Sequence, residues 1–182
     1  MVSIGILLII IATVVIRFIS FDSTVLLKSL TYDIAFSIRE AQAYSLSVLG
    51  ADTGFRDTYG VSFTEDDDQY VLFTYEIFEE SIPVYTAGNE VTLYKLGRAY
   101  KIEEVCVTVG GESQNCSDVD RVDISFRRPE YRALFYTTHP QGDVFNEKIE
   151  SATIKVSTDD GSTRRGVVTI GYAGQITVAL EE

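Results

Sequence analysis

The sequence predicts an α+β fold: a long N-terminal α-helix, apolar in its first half and amphipathic in its second, packed on an antiparallel β-sheet domain. Three observations predict it. Residues 1–16 hold eleven Val, Ile or Leu and no charged side chain. Residues 22–49 return apolar side chains at steps of three and four, and after Gly54 the period falls to two. The expected division is a helix over 1–50, with 1–21 as apolar arm and 22–50 as amphipathic part, and an acidic β domain over 51–182.

The arm is short for a bilayer. Sixteen helical residues rise about 24 Å against a hydrocarbon core of roughly 30 Å. Arg17 can lift its head to the interface while its stem stays in lipid, and Phe18, Ile19 and Phe21 extend the apolar surface. A cleaved secretory signal would need a basic stretch before the run and a small-x-small site after it, and neither is present. The arm is therefore expected to anchor the chain in a membrane or to sit in a bundle of its own copies. Its packing residues are Ile4, Gly5, Leu8, Ile11, Ala12 and Val15, with Gly5 and Ala12 allowing close helix approach on one side.

In the amphipathic part Leu27, Leu30, Ile34, Ile38, Ala41, Ser45 and Val48 define one face. Leu30, Ile34, Ile38 and Ala41 are expected to pack on the sheet, and Gly50 stands where a C-terminal cap belongs. Nine strands are expected, over 59–63, 70–78, 90–96, 100–109, 119–126, 133–136, 152–157, 166–171 and 175–180. They are rich in Val, Ile, Phe, Tyr and Thr, and Asp-Asp-Asp, Ala-Gly-Asn, Gly-Gly and Ala-Gly supply the turns between them.

Residues 1–50 carry three basic and three acidic side chains, so the whole net charge of −12 belongs to the β domain. An acidic field repels phosphate backbones and argues against nucleic acid as a partner. Cys106 and Cys116 flank Gly110-Gly111 in a strand-turn-strand pattern, which fits a hairpin disulfide worth about 2–3 kcal/mol and an oxidising compartment. With a single histidine, the two cysteines make a poor zinc set.

No catalytic constellation is present. His139 precedes Pro140 in a turn-like context and is read as an exposed loop residue, and no nucleophile elbow, phosphate loop or dinucleotide fingerprint occurs. Glu65-Asp66-Asp67-Asp68, and Asp118 and Asp120 with Asp123, offer oxygens but lack the spacing of a calcium loop. They are read as solvated turns. The chain is expected to be no enzyme and to use no cofactor.

Five stretches in order carry a resemblance: residues 1–15, Arg39-Glu40-Ala41-Gln42-Ala43-Tyr44, Tyr59-Gly60-Val61-Ser62-Phe63, Ile124-Ser125-Phe126-Arg127-Arg128-Pro129, and Gly171-Tyr172-Ala173-Gly174-Gln175-Ile176-Thr177-Val178. Together they resemble the type IV pilin-like family, in particular the FimT/GspH-like pseudopilins and minor pilins. The resemblance implies a structural subunit of a type IV pilus or type II secretion system, held in the bacterial inner membrane by its N-terminal helix. It also implies a globular domain outside the cytoplasm, assembly into a filament by helix packing, and display at the cell surface. Implied partners are other pilin subunits, the inner membrane, a prepilin peptidase and an assembly platform. The chain departs from the pattern in having no basic leader, no processed and N-methylated start and no glutamate at the fifth mature position, so Met1 is expected to lie inside the family's helix. Two other readings stand beside this one: a signal-anchored binding module or adhesin, and a DNA-uptake minor pilin.

Overall fold

Alternating β-branched and aromatic residues form strands where turn residues interrupt them. The computed structural model describes residues 2–46, 57–76, 84–97, 99–111, 113–126, 132–139, 144–145, 149–158 and 163–181. Helix α1 spans Val2–Leu46. The strands are β1 (Asp57–Thr64), β2 (Gln69–Glu76), β3 (Glu90–Lys95), β4 (Tyr100–Val109), β5 (Arg121–Phe126), β6 (Ala133–Thr138), β7 (Val144–Phe145), β8 (Ile149–Thr158), β9 (Arg165–Gly171) and β10 (Ile176–Glu181). All but the two-residue β7 coincide with an expected strand. The expected cap, Gly50, lies outside the described residues.

These strands form two antiparallel sheets, ordered β3-β2-β1-β5-β6-β7 and β10-β9-β8-β4. Their inner faces meet in one apolar core. In the first, Val61 stands opposite Leu72 and Ile124; in the second, Ile154 stands opposite Val105 and Val168. All six side chains are buried together with Leu27, Ile34 and Ile38 of α1.

The acidic turn after β1 joins the sheets. Glu65 N donates to Asp120 O at 2.8 Å, Asp66 N to Ile102 O at 2.8 Å, and Ile102 N to Asp67 O at 2.9 Å. Lys101 Nζ lies 2.6 Å from Asp66 Oδ1. Carboxylates read as a solvated turn therefore sit on a backbone seam. At another corner Ala133 N donates to Tyr172 O at 2.9 Å and Tyr172 N to Glu150 O at 2.7 Å.

Cys106 and Cys116 form a disulfide. It holds the Gly110-Gly111 loop along the outer edge of β4, where Val107 and Asn115 exchange two backbone hydrogen bonds of 2.8 Å. Replacing both cysteines by alanine is expected to lower stability by about 2–3 kcal/mol, because a short loop is no longer closed in the unfolded chain. Thermal unfolding checks it, and an unchanged midpoint would overturn it.

On β1 the buried Thr58 hydroxyl has no hydrogen-bond partner among the described residues. An unpaired buried hydroxyl costs free energy that an isosteric methyl does not. Thr58→Val is accordingly expected to raise stability by about 1 kcal/mol, read as a higher urea midpoint at unchanged slope.

Three expectations are corrected. The described chain is mainly β, with two sheets where one was expected, and no long helix packs on a sheet: only the short stretch Leu27–Ser45 of α1 is buried against strands. Period two identifies strands without saying how many sheets they form, and period 3.6 identifies a helix without saying how much of it is covered. Second, no helix among the described residues is long and apolar enough to cross a membrane. That does not fit anchoring by a single N-terminal helix, so the inner-membrane and cell-surface placement is withdrawn, together with the pilin, pseudopilin, prepilin, methylation and type II secretion labels that came with it. The physical reason is already in the arm: its uncharged run stops at Arg17. Third, Asp123 is fully buried within β5 rather than in a solvated turn, and His139, in the loop after β6 as expected, is half-buried beside Asp118 rather than exposed, its Nε2 3.4 Å from Oδ1.

Candidate assembly surface

From Thr24 to Ser45 helix α1 is fixed to both sheets. Gly166 on β9 permits the closest approach: a Cβ there would collide with the Thr31 side chain, whose hydroxyl donates to Leu27 O at 2.7 Å. Arg164, just before β9, donates to the Thr24 hydroxyl. Toward the six-stranded sheet the Ser37 and Tyr70 hydroxyls share a hydrogen bond of 2.9 Å. Ser45 Oγ accepts from Tyr59 N at 3.0 Å.

Glu40 accepts from the Tyr44 and Tyr94 hydroxyls, both at 2.8 Å, and so ties α1 to β3. Burial and the Glu40 carboxylate push the Tyr94 phenol up to about 12. Both phenols therefore remain protonated donors at neutral pH.

Leu30, Ile34, Ile38 and Ala41 lie on this fixed side. Ile34, Ile38 and Ala41 are fully buried and Leu30 is packed against the same core. The opposite side of the helix is also apolar: Val25, Leu26, Tyr32 and Phe36 face outward, with Phe36 71% exposed. Positions 25, 29, 32 and 36 recur at steps of four, three and four, so Val25, Tyr32 and Phe36 stand on one ridge.

The arm presents apolar side chains in every direction. Ile4, Ile6, Leu7, Ile9, Ile10 and Ile11 are between 50% and 66% exposed, and eight consecutive positions cover more than two helical turns. Around an added Gly5 Cβ nothing lies within 4 Å, and Ala12 is exposed. The side chains of Leu8 and Val15 lie outside the described residues. Of the expected packing residues, Ile4, Gly5, Ile11 and Ala12 are thus displayed outward on the helix. The outward ridge of Val25, Tyr32 and Phe36 was missed by sequence reasoning, which assigned the second half of the helix one apolar side. Its signal was present in the same three- and four-residue spacing on the other face.

Glu104 and Cys106 of β4 cluster with Cys116 of the neighbouring loop, but the disulfide occupies both sulfurs and leaves no thiolate to bind a metal. Beside them Lys155 Nζ lies 2.8 Å from Glu104 Oε2, and Arg165 donates twice to Glu103 at 2.7 Å. A bulge at Glu103 turns both adjacent glutamates to the outer face. The Arg165 guanidinium holds the Glu103 carboxyl below the ordinary carboxylate range. This surface is polar and internally paired, in contrast to the helix.

No protein family, characterised protein or solved structure matches this chain.

Proposed function

We propose that this chain is a structural subunit, not an enzyme, that assembles with other copies through packing of its N-terminal helix, the filament-forming role that the sequence resemblance implies. The observation that carries this reading is the arm: six large aliphatic side chains of Ile4–Ile11 stand at least half exposed in all directions. A helix that is apolar all round is buried in its working state. A bundle of like helices supplies that burial.

Completing the burial of each aliphatic contributes about 1 kcal/mol, and of the six together roughly 6 kcal/mol. Association itself costs about 4–15 kcal/mol. The arm alone therefore sits near break-even. The ridge of Val25, Tyr32 and Phe36, on the same helix, supplies the further apolar surface that moves the balance toward assembly. The contact is between different faces of successive copies, and a contact of that kind that does not close produces a filament.

Sedimentation velocity and negative-stain electron microscopy on the full chain test the proposal. The chain is expected to form large species at micromolar concentration, and the double variant Ile4→Asp, Ile11→Asp, still folded, to lose them. A monomeric parent chain, or a double variant that assembles as the parent does, overturns it.

A further inference from the structure

Of the four outer edges of the two sheets, β4 is covered, β7 is only two residues long, and two have no strand partner among the described residues. Strand β4 is covered along its outer edge, at Ile102 by the turn carrying Asp66 and Asp67 and at Val107 by Asn115 of the disulfide loop. The six-stranded sheet ends at one side in the two-residue β7. By contrast β3 pairs only with β2, and β10 only with β9, among the described residues. Proteins ordinarily blunt such edges, because their unpaired N–H and C=O groups template another strand.

The bare edges are also where exposed aliphatics collect. Among the described residues outside α1, the large hydrophobic side chains left exposed are Val91 and Leu93 on β3, Leu180 on β10, and Tyr172. Tyr172 is accounted for by Arg132, which donates to its hydroxyl at 2.7 Å. The other three have no such partner among the described residues. Both edge strands are six residues long. They belong to different sheets, so one copy presents both halves of a possible joint.

We propose that the free edge of β3 in one copy pairs with the free edge of β10 in the next, joining sheets of successive copies end to end. Charge selects this occupant and its direction. In a parallel arrangement Lys95 meets Glu181, Leu93 meets Ala179, and Tyr94 meets Leu180. An antiparallel arrangement of the same spans sets the exposed Leu93 against Val178 and Lys95 against Ile176, both of which pack on the core, and loses the Lys95–Glu181 pair. The bulge in the β2–β3 pairing lies beyond Thr92, so the regular stretch Thr92–Lys95 provides the pairing surface. Such a joint uses different surfaces on the two copies and does not close on itself. It goes beyond the helix contact and stands without it.

The test uses the full chain carrying Ile4→Asp and Ile11→Asp, which removes the helix contact, so that failure of this inference and failure of the helix reading are distinguishable. On that background weak concentration-dependent association is expected in sedimentation velocity. Leu93→Lys and Leu180→Lys, each at an exposed site and each checked for an unchanged melting temperature, are expected to weaken it by about tenfold or more. Mixing the two is decisive: β10 of the Leu93→Lys chain remains able to join β3 of the Leu180→Lys chain, so a one-to-one dimer and nothing larger is expected. A background chain that stays monomeric, single variants that associate as before, or a mixture with no dimer overturns the proposal.

Discussion

Asp123→Ala is expected to lower stability by about 3–5 kcal/mol, the range for removing one partner of a buried charged pair. Asp123 is fully buried on the outer face of β5. Its Oδ1 accepts from the Ser62 hydroxyl at 2.6 Å, and its Oδ2 accepts from Tyr85 N at 2.9 Å and from Arg121 Nη2 at 3.3 Å. Alanine leaves three donors without their acceptor, one of them charged and stacked near the Tyr85 ring. The melting temperature should fall by roughly 6–20 °C. A fall below about 2 °C would show that solvent or neighbouring groups satisfy those donors.

The same residue gives a pH signature. Burial pushes the Asp123 carboxyl above the ordinary aspartate range, although Ser62, Arg121 and the Tyr85 amide pull it down. The native chain then binds this proton more readily than the unfolded chain does. Its contribution to stability is full below the ordinary aspartate value and is lost as pH rises through the folded value. Asp123→Asn keeps an acceptor oxygen and should cost less than alanine. Its stability relative to the parent should improve as pH rises from the ordinary aspartate value of about 3.9 toward neutrality. Urea midpoints of both chains across that range check the sign, and a difference that is flat or runs the other way contradicts it.

Gly60→Ala is the second large effect, expected at about 2–3 kcal/mol or somewhat more. Gly60 lies in β1 between β2 and β5, opposite Phe73 and Ser125. A Cβ there would stand 2.6 Å from Phe73 Cζ and 2.7 Å from the Ile124 carbonyl oxygen. The Phe73 ring is fully buried against Tyr85, with ring centroids 5.8 Å apart, so it has little room to withdraw. The carbonyl can move only if β5 shifts along with it. Chemical denaturation should show a lower midpoint at unchanged slope. An unaltered midpoint would mean that the strand takes up the methyl by a small rotation.

Both effects arise on the outer face of the six-stranded sheet, where sequence reading is weakest. In Arg121-Val122-Asp123-Ile124-Ser125-Phe126 the alternation correctly turns Val122, Ile124 and Phe126 inward. It also directs Asp123 outward, which for a one-sided sheet means water. The segment carrying Tyr85 covers that face, and no local pattern in residues 121–126 reports a segment almost forty positions away. The acidic run at 65–68 behaves similarly: its composition reads as a solvated turn, while its backbone bonds to Ile102 and Asp120 are fixed only by how the sheets meet.

The chain's own periodicities determined which residues form strands, which side of α1 carries Leu30, Ile34, Ile38 and Ala41, and, with the Gly110-Gly111 turn, which loop the disulfide closes. Those are short-range consequences of backbone geometry: a period of two or 3.6 residues, or a hairpin that brings two side chains together. Only the tertiary structure decided that the strands divide into two sheets, that Asp123 is enclosed, and that among the described residues nothing covers the arm, the outer ridge of α1 or the edges of β3 and β10. Each of these depends on which surfaces distant segments cover, and burial is a property of the assembled surface rather than of any one stretch of sequence.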